Sequence, residues 1–165
     1  MISLFLSISM LNLLCLSIAA GLGYGVMFRG ASVSPYHQLA GVISAIVCCG
    51  VHCIVFTYFI ATAKWIQHAI DVKHLDQQLA SPTRSFKAQA FPAALAAMMF
   101  VFLTAIAGVL RLSYGISPAW HQCLALLAIA VNIGAAAVEY RAVVRNGRVI
   151  DGILTSVNPV AGPAN

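Results

Sequence analysis

Four stretches of the chain are long and apolar, and the polar residues collect between them. Residues 1–28 carry no charged side chain, and residues 39–63, 88–110 and 118–138 are nearly as apolar. Each reaches the roughly 20 residues that a helix needs to cross a bilayer. Three of the breaks share one signal, Ser34-Pro35, Ser81-Pro82 and Ser117-Pro118. A serine that can cap, followed by a proline whose fixed φ suits the first helical turn, starts a helix. Residues 63–79 stay helix-compatible but are apolar only at Ile66, Ile70, Leu75 and Leu79. That pattern extends the second helix as an amphipathic segment.

The fold expected is an all-α integral membrane protein. Its architecture is an up-down bundle of four transmembrane helices made of two similar hairpins, with helices two and three extended into the cytoplasm. The spans fall at about 4–28, 37–63, 88–111 and 118–139 in a single domain, 1–154, and 155–165 reads as a disordered tail. The fourth helix is expected to end near Val138. A cleaved signal peptide ending near Gly21 competes for the first span, but the run has no basic start and continues past the site.

Composition supports lipid as the solvent. The chain is 61% hydrophobic and 8% charged, against about 25% charged for a soluble domain. The net charge of +5 does not point to nucleic acid, because the basic residues sit at the ends of apolar runs. They set topology instead. Lys64, Lys73, Arg84, Lys87, Arg141, Arg145 and Arg148 fall on one side, and Arg29 and Arg111 on the other. Positive charge stays inside, so both termini are expected in the cytoplasm, in a bacterium under the inner membrane.

The two hairpins repeat a motif. RGASVSPYHQ at 29–38 and RLSYGISPAWHQ at 111–122 each run from an Arg through Ser-Pro to His-Gln. His37 and His121 thus occupy matching places on parallel helices. Two such imidazoles can ligate one haem b, with Arg29 and Arg111 above for its propionates and small residues such as Gly25 and Gly108 making room. The competing reading is two interfacial histidines at helix starts.

A second group lies near the middle of the spans. Cys48, Cys49, His52 and Cys53 come level with Met98 and Met99, a set of soft ligands suited to copper(I) or haem. His52 reads first as a structural histidine bonded to Asn132 or Thr104, and second as a ligand. The five cysteines all lie in apolar runs, so they read as packing residues and not as a disulfide framework. At the cytoplasmic boundary, Lys64 is expected to pair with Glu139, and no acid is expected in mid-span.

No GxSxG, HExxH, P-loop, dinucleotide or CxxC signature occurs, so the chain reads as a non-enzyme. In architecture alone the layout resembles small four-helix cytochromes and membrane anchor subunits. Three functions compete, in this order: an accessory or anchor subunit of a larger membrane complex, a b-type cytochrome or metal-binding electron carrier, and a small oligomeric transporter. The partners implied are the bilayer and other membrane subunits or further copies of the chain.

Overall fold

The computed structural model describes residues 2–29 and 33–157. The described chain is four long helices: α1 (Ile2–Arg29), α2 (Ser34–Lys73), α3 (Ser81–Tyr114) and α4 (Pro118–Val157). Each is long and apolar enough to cross a membrane. A 3₁₀ turn, Gln77–Ala80, joins α2 to α3. At 1.5 Å per residue the 40-residue α2 is about 60 Å long, well beyond a hydrocarbon core of about 30 Å.

Local chemistry sets the ends. Pro35 and Pro82 stand in the first turns of α2 and α3, as their fixed φ favours. Their serines do not cap. Val33 and Ala80 hold the cap positions, and neither helix start has a side-chain cap bond. Ser117 does accept the Ala119 N–H, at 3.4 Å. α2 stops where His74 turns left-handed, φ 51°, and donates its N–H to the Ile70 carbonyl. α3 stops the same way at Gly115, φ 66°, on the Arg111 carbonyl. A glycine takes that conformation without the steric cost His74 bears. The connection 74–80 lies where the Ser-Pro signal put it.

α4 departs from expectation. It does not stop near Val138 but continues to Val157. The reason is visible on its buried face. Ala128, Asn132, Ala135, Glu139, Ala142 and Asn146 are all buried, at alternating steps of four and three, and buried Ile153 follows seven residues further on. The stripe runs through the Arg141–Arg148 segment because those arginines point away from it, Arg141, Arg145 and Arg148 being exposed. Residues 155–157 of the expected tail are thus helical, and 158–165 lie outside the described residues.

The helices form a bundle. α1 packs on α2 and α4, α3 packs on α2 and most closely on α4, and α2 touches α4 across the middle. Ala90, Ala94 and Ala97 of α3 are fully buried, and side chains this small let α3 approach its neighbours closely. Three apolar layers stack along the axis. Leu16, Cys48, Val101 and Ala128 form the first. Phe5, Val55, Phe59, Ala90, Ala142 and Val143 form the second. Ile66, Ile70, Ala80 and Ile153 form the third. Many apolar side chains face outward, among them Leu14, Ile46, Val109 and Leu112.

Candidate functional site

Ser34-Pro35 and Ser117-Pro118 start α2 and α4 at one end of the bundle, and each places a histidine in the first turn. The two rings come together. The His37 and His121 centroids are 5.8 Å apart and the ring planes meet at 83°. Each ring reaches across to the preceding helix. His37 Nδ1 lies 3.0 Å from the Ala19 carbonyl on α1. His121 Nδ1 lies 2.9 Å from the Thr104 carbonyl on α3. A carbonyl only accepts, so Nδ1 carries the proton in both rings. In the neutral ring Nε2 then keeps its lone pair, the form in which a histidine binds a metal.

Two glycines make the approach possible. A Cβ on Gly23 would stand 3.0 Å from His37 Cε1, and one on Gly108 3.1 Å from His121 Cε1. Both glycines lie four residues after the carbonyl that holds the ring. The two histidines are therefore held alike: AAGLG at 19–23 serves His37 as TAIAG at 104–108 serves His121. Gly25 and Gly108 were expected to make room for a haem macrocycle; here Gly108 lies against the His121 ring, Gly25 has Val33 as its nearest neighbour at 3.6 Å, and Gly23 lies against the His37 ring. The signal was present as a small-residue pentad before each histidine.

Two cavities adjoin the pair. One, between the four helices, has a volume of about 80 Å³ and is walled by small residues such as Ala19, Gly41, Ala45, Ala105 and Ala125. The other, on the α1–α4 side, is lined by both histidines, Tyr24, Gln122 and Arg111. Arg29 ends α1 with an exposed side chain and lines neither cavity.

His52 sits deeper, 2% exposed, beneath the first apolar layer. Its Nδ1 is 2.8 Å from Glu139 Oε1. Its Nε2 is 3.4 Å from Asn132 Oδ1. Asn132 was an expected partner; Thr104 is not one, as its hydroxyl donates to the Phe100 carbonyl. Glu139 overturns an expectation. It is 1% exposed and paired with His52, the one ion pair among the described residues, and not with exposed Lys64. Because α4 runs on to Val157, position 139 falls at the middle of a helix, not at its end. An acid therefore does lie in mid-bundle. Asn12 donates to Asn132 Oδ1 at 2.9 Å and Cys48 does so at 3.5 Å.

The soft-ligand set does not assemble. Cys49 is half-buried, Cys53 is exposed, Met98 packs on the first apolar layer and Met99 is 50% exposed. Among the described residues no three His, Cys, Asp or Glu side chains gather as a metal site. Further along, Asn146 Nδ2 donates to Tyr58 and Thr62, and its Oδ1 accepts from Thr83. On the α2 extension Asp71 accepts from Gln67 and Gln77. No protein-family model, curated protein or solved structure matches the chain, and its chemistry is read from this geometry alone.

Proposed function

We propose that the chain is an integral membrane b-type cytochrome, a small haem-carrying subunit that passes electrons within a larger membrane assembly. The observation that carries the reading is the His37–His121 pair, each ring held by Nδ1 on a backbone carbonyl. Two Fe–N bonds of about 2 Å put the centroids of two axial imidazoles about 6 Å apart, close to the 5.8 Å here. The donor set suits haem better than a lone ion, since two histidines leave a bare metal short of ligands while a porphyrin supplies four nitrogens. Small residues wall the adjoining space, and Arg111 stands beside it for a propionate. A bound haem would supply one-electron redox chemistry, with iron cycling between ferric and ferrous. The chain's part is to orient both rings, fix their tautomers and exclude water. As a non-enzymatic carrier it would need redox partners, and its outward apolar faces are suited to lipid and neighbouring subunits.

The test is optical. Protein purified in mild detergent after expression with added haem precursor should show a Soret band and sharp reduced bands of a six-coordinate haem. Colourless, well-folded protein would sink the reading and leave a haem-free anchor subunit.

The membrane topology belongs to the same proposal. Four spans with both termini cytoplasmic follow from seven basic residues against two. The α2, α3 and α4 extensions beyond the lipid then stand in the cytoplasm. A reporter fused after Asn165 should be active in the cytoplasm only; activity on the far side would mean a miscounted span.

A further inference from the structure

The His52–Glu139 pair has a use that electron carriage does not assign. Both ring nitrogens of His52 face acceptor oxygens, Glu139 Oε1 at 2.8 Å and Asn132 Oδ1 at 3.4 Å. The Asn132 amide is not free to turn. Its Nδ2 donates to the Ala128 carbonyl at 2.8 Å and its Oδ1 takes the Asn12 and Cys48 donors. A neutral imidazole with a carboxylate has one proton for these two contacts. The geometry needs two, so the pair holds one more proton, either as imidazolium with carboxylate or as imidazole with carboxylic acid.

The surroundings leave space for water beside it. Ser9 Oγ and Asn12 Oδ1 are fully buried with no partner among the described residues. Buried polar atoms without protein partners mark positions of internal water. Asn12 bonds Asn132, and Phe5 lies against Tyr140 with ring centroids 6.5 Å apart. Ser9, between them on α1, therefore stands level with about Ala135, midway between Asn132 and Glu139.

An apolar layer bounds the pair at each end, Leu16, Cys48, Val101 and Ala128 on one side and Phe5, Val55, Phe59, Ala142 and Val143 on the other, and the cavity between the four helices adjoins the first. Toward His37 and His121, the cavity reaches down to Leu16, Val101 and Ala128, the layer directly above Asn132, with Ser44 and then Cys48 on the same face of α2. Toward the other end, Phe5, Val55, Phe59, Ala142 and Val143 close the core before the next polar group, Asn146. We infer that His52, Glu139, Asn132, Asn12 and Ser9 form a water-assisted proton-binding site at mid-bundle, reached from the His37–His121 end and sealed at the other by the Phe5–Phe59 layer. The proton enters and leaves through the same end, carried by internal water past Asn132 to the pair. The other titratable groups nearby are few. α2 brings Cys48, and Tyr58 a layer further on. α1 brings Cys15, one turn from Asn12. α4 brings Tyr140 beside Glu139. α3 has none between Lys87 and Arg111. The inference rests on the membrane reading and not on haem.

The experiment is a proton-leak assay in liposomes with a trapped pH-sensitive dye. Wild-type protein should hold an imposed pH gradient. Phe59→Ala, and separately Val55→Ala, thin the seal and should speed its decay several-fold. Adding Glu139→Gln to either should return the decay to the wild-type rate. Size-exclusion and helix content confirm that each variant is folded, and Val55→Ala, the smaller change, stands in if Phe59→Ala is not. A folded seal variant that holds the gradient would overturn the inference. So would a leak that persists with Glu139→Gln, because the proton would then be bypassing the pair. Failure of all variants, wild type included, to enter liposomes would instead overturn the membrane reading.

Discussion

His37→Ala and His121→Ala are each expected to abolish haem retention through purification. One axial bond is expected to be too weak to hold the group through purification, since the remaining polar lining, Arg111, Tyr24 and Gln122, offers no second iron ligand of histidine's strength. The two losses should be equal, because the sites repeat each other: a ring on a carbonyl, a glycine beneath it, 3.0 and 3.1 Å of clearance to a built Cβ. The conservative control is His121→Met, which keeps a ligand and should keep a red protein with a shifted spectrum. Gly23→Ala and Gly108→Ala test the positioning. An added methyl must push the ring off its carbonyl, and lost outer-shell partners cost a metal about 10–100-fold in affinity. The measurement is haem titration followed at the Soret band, with helix content as the fold control. Full haem content in both histidine variants would refute the shared site. A loss confined to one of them would break the pseudo-symmetry.

The four long helices were legible because each follows an apolar run long enough to form one, bounded by polar breaks. The Ser-Pro starts at 34–35, 81–82 and 117–118 placed three helix beginnings, and the spacing to His37 and His121 placed both rings at equal height. Two things were not legible. Gly23 was one of three glycines in five residues, and nothing local says which of Gly21, Gly23 and Gly25 faces the next helix. Only the tertiary contact selects Gly23. Glu139 was misplaced because it opens a run of arginines, which reads as an interface. The heptad spacing of Asn132, Glu139 and Asn146 carried the correct answer. Three polar residues seven apart on an otherwise alanine-rich stripe share one face, and a helix that continues must bury all three. Cys49, Cys53 and Met99 were grouped with His52 by height alone. Height ignores the angle around the helix, and that angle turns Cys53 and Met99 outward.

Glu139→Ala should be the most destabilising single change among the buried polar residues. It leaves His52 Nδ1, 2% exposed, without its carboxylate and opens a void beside it. Removing one member of a buried pair costs about 3–5 kcal/mol in soluble proteins. Interhelical polar contacts in lipid are worth less, about 0.6 kcal/mol on average and up to about 1.7, because the unfolded helices find other partners. The pair here is charge-assisted and also fixes Asn132, so a cost of about 2–3 kcal/mol is expected, between those limits. Glu139→Gln should cost under about 1 kcal/mol, since its amide oxygen can still accept from His52 Nδ1. By the same logic His52→Gln should be tolerated better than His52→Leu, which leaves the carboxylate buried with no donor. The double variant His52→Leu with Glu139→Leu removes both halves and fills the space. Asn132 Oδ1 keeps Asn12 and Cys48 as donors. It should therefore be more stable than either single leucine variant, with a coupling of about 1–2 kcal/mol in the double-mutant cycle. Denaturation in detergent, followed by helix content, measures all six, the single Glu139→Leu included. Additive costs around the cycle would mean that His52 and Glu139 do not act on each other, and the buried pair would lose its place in the account of the core.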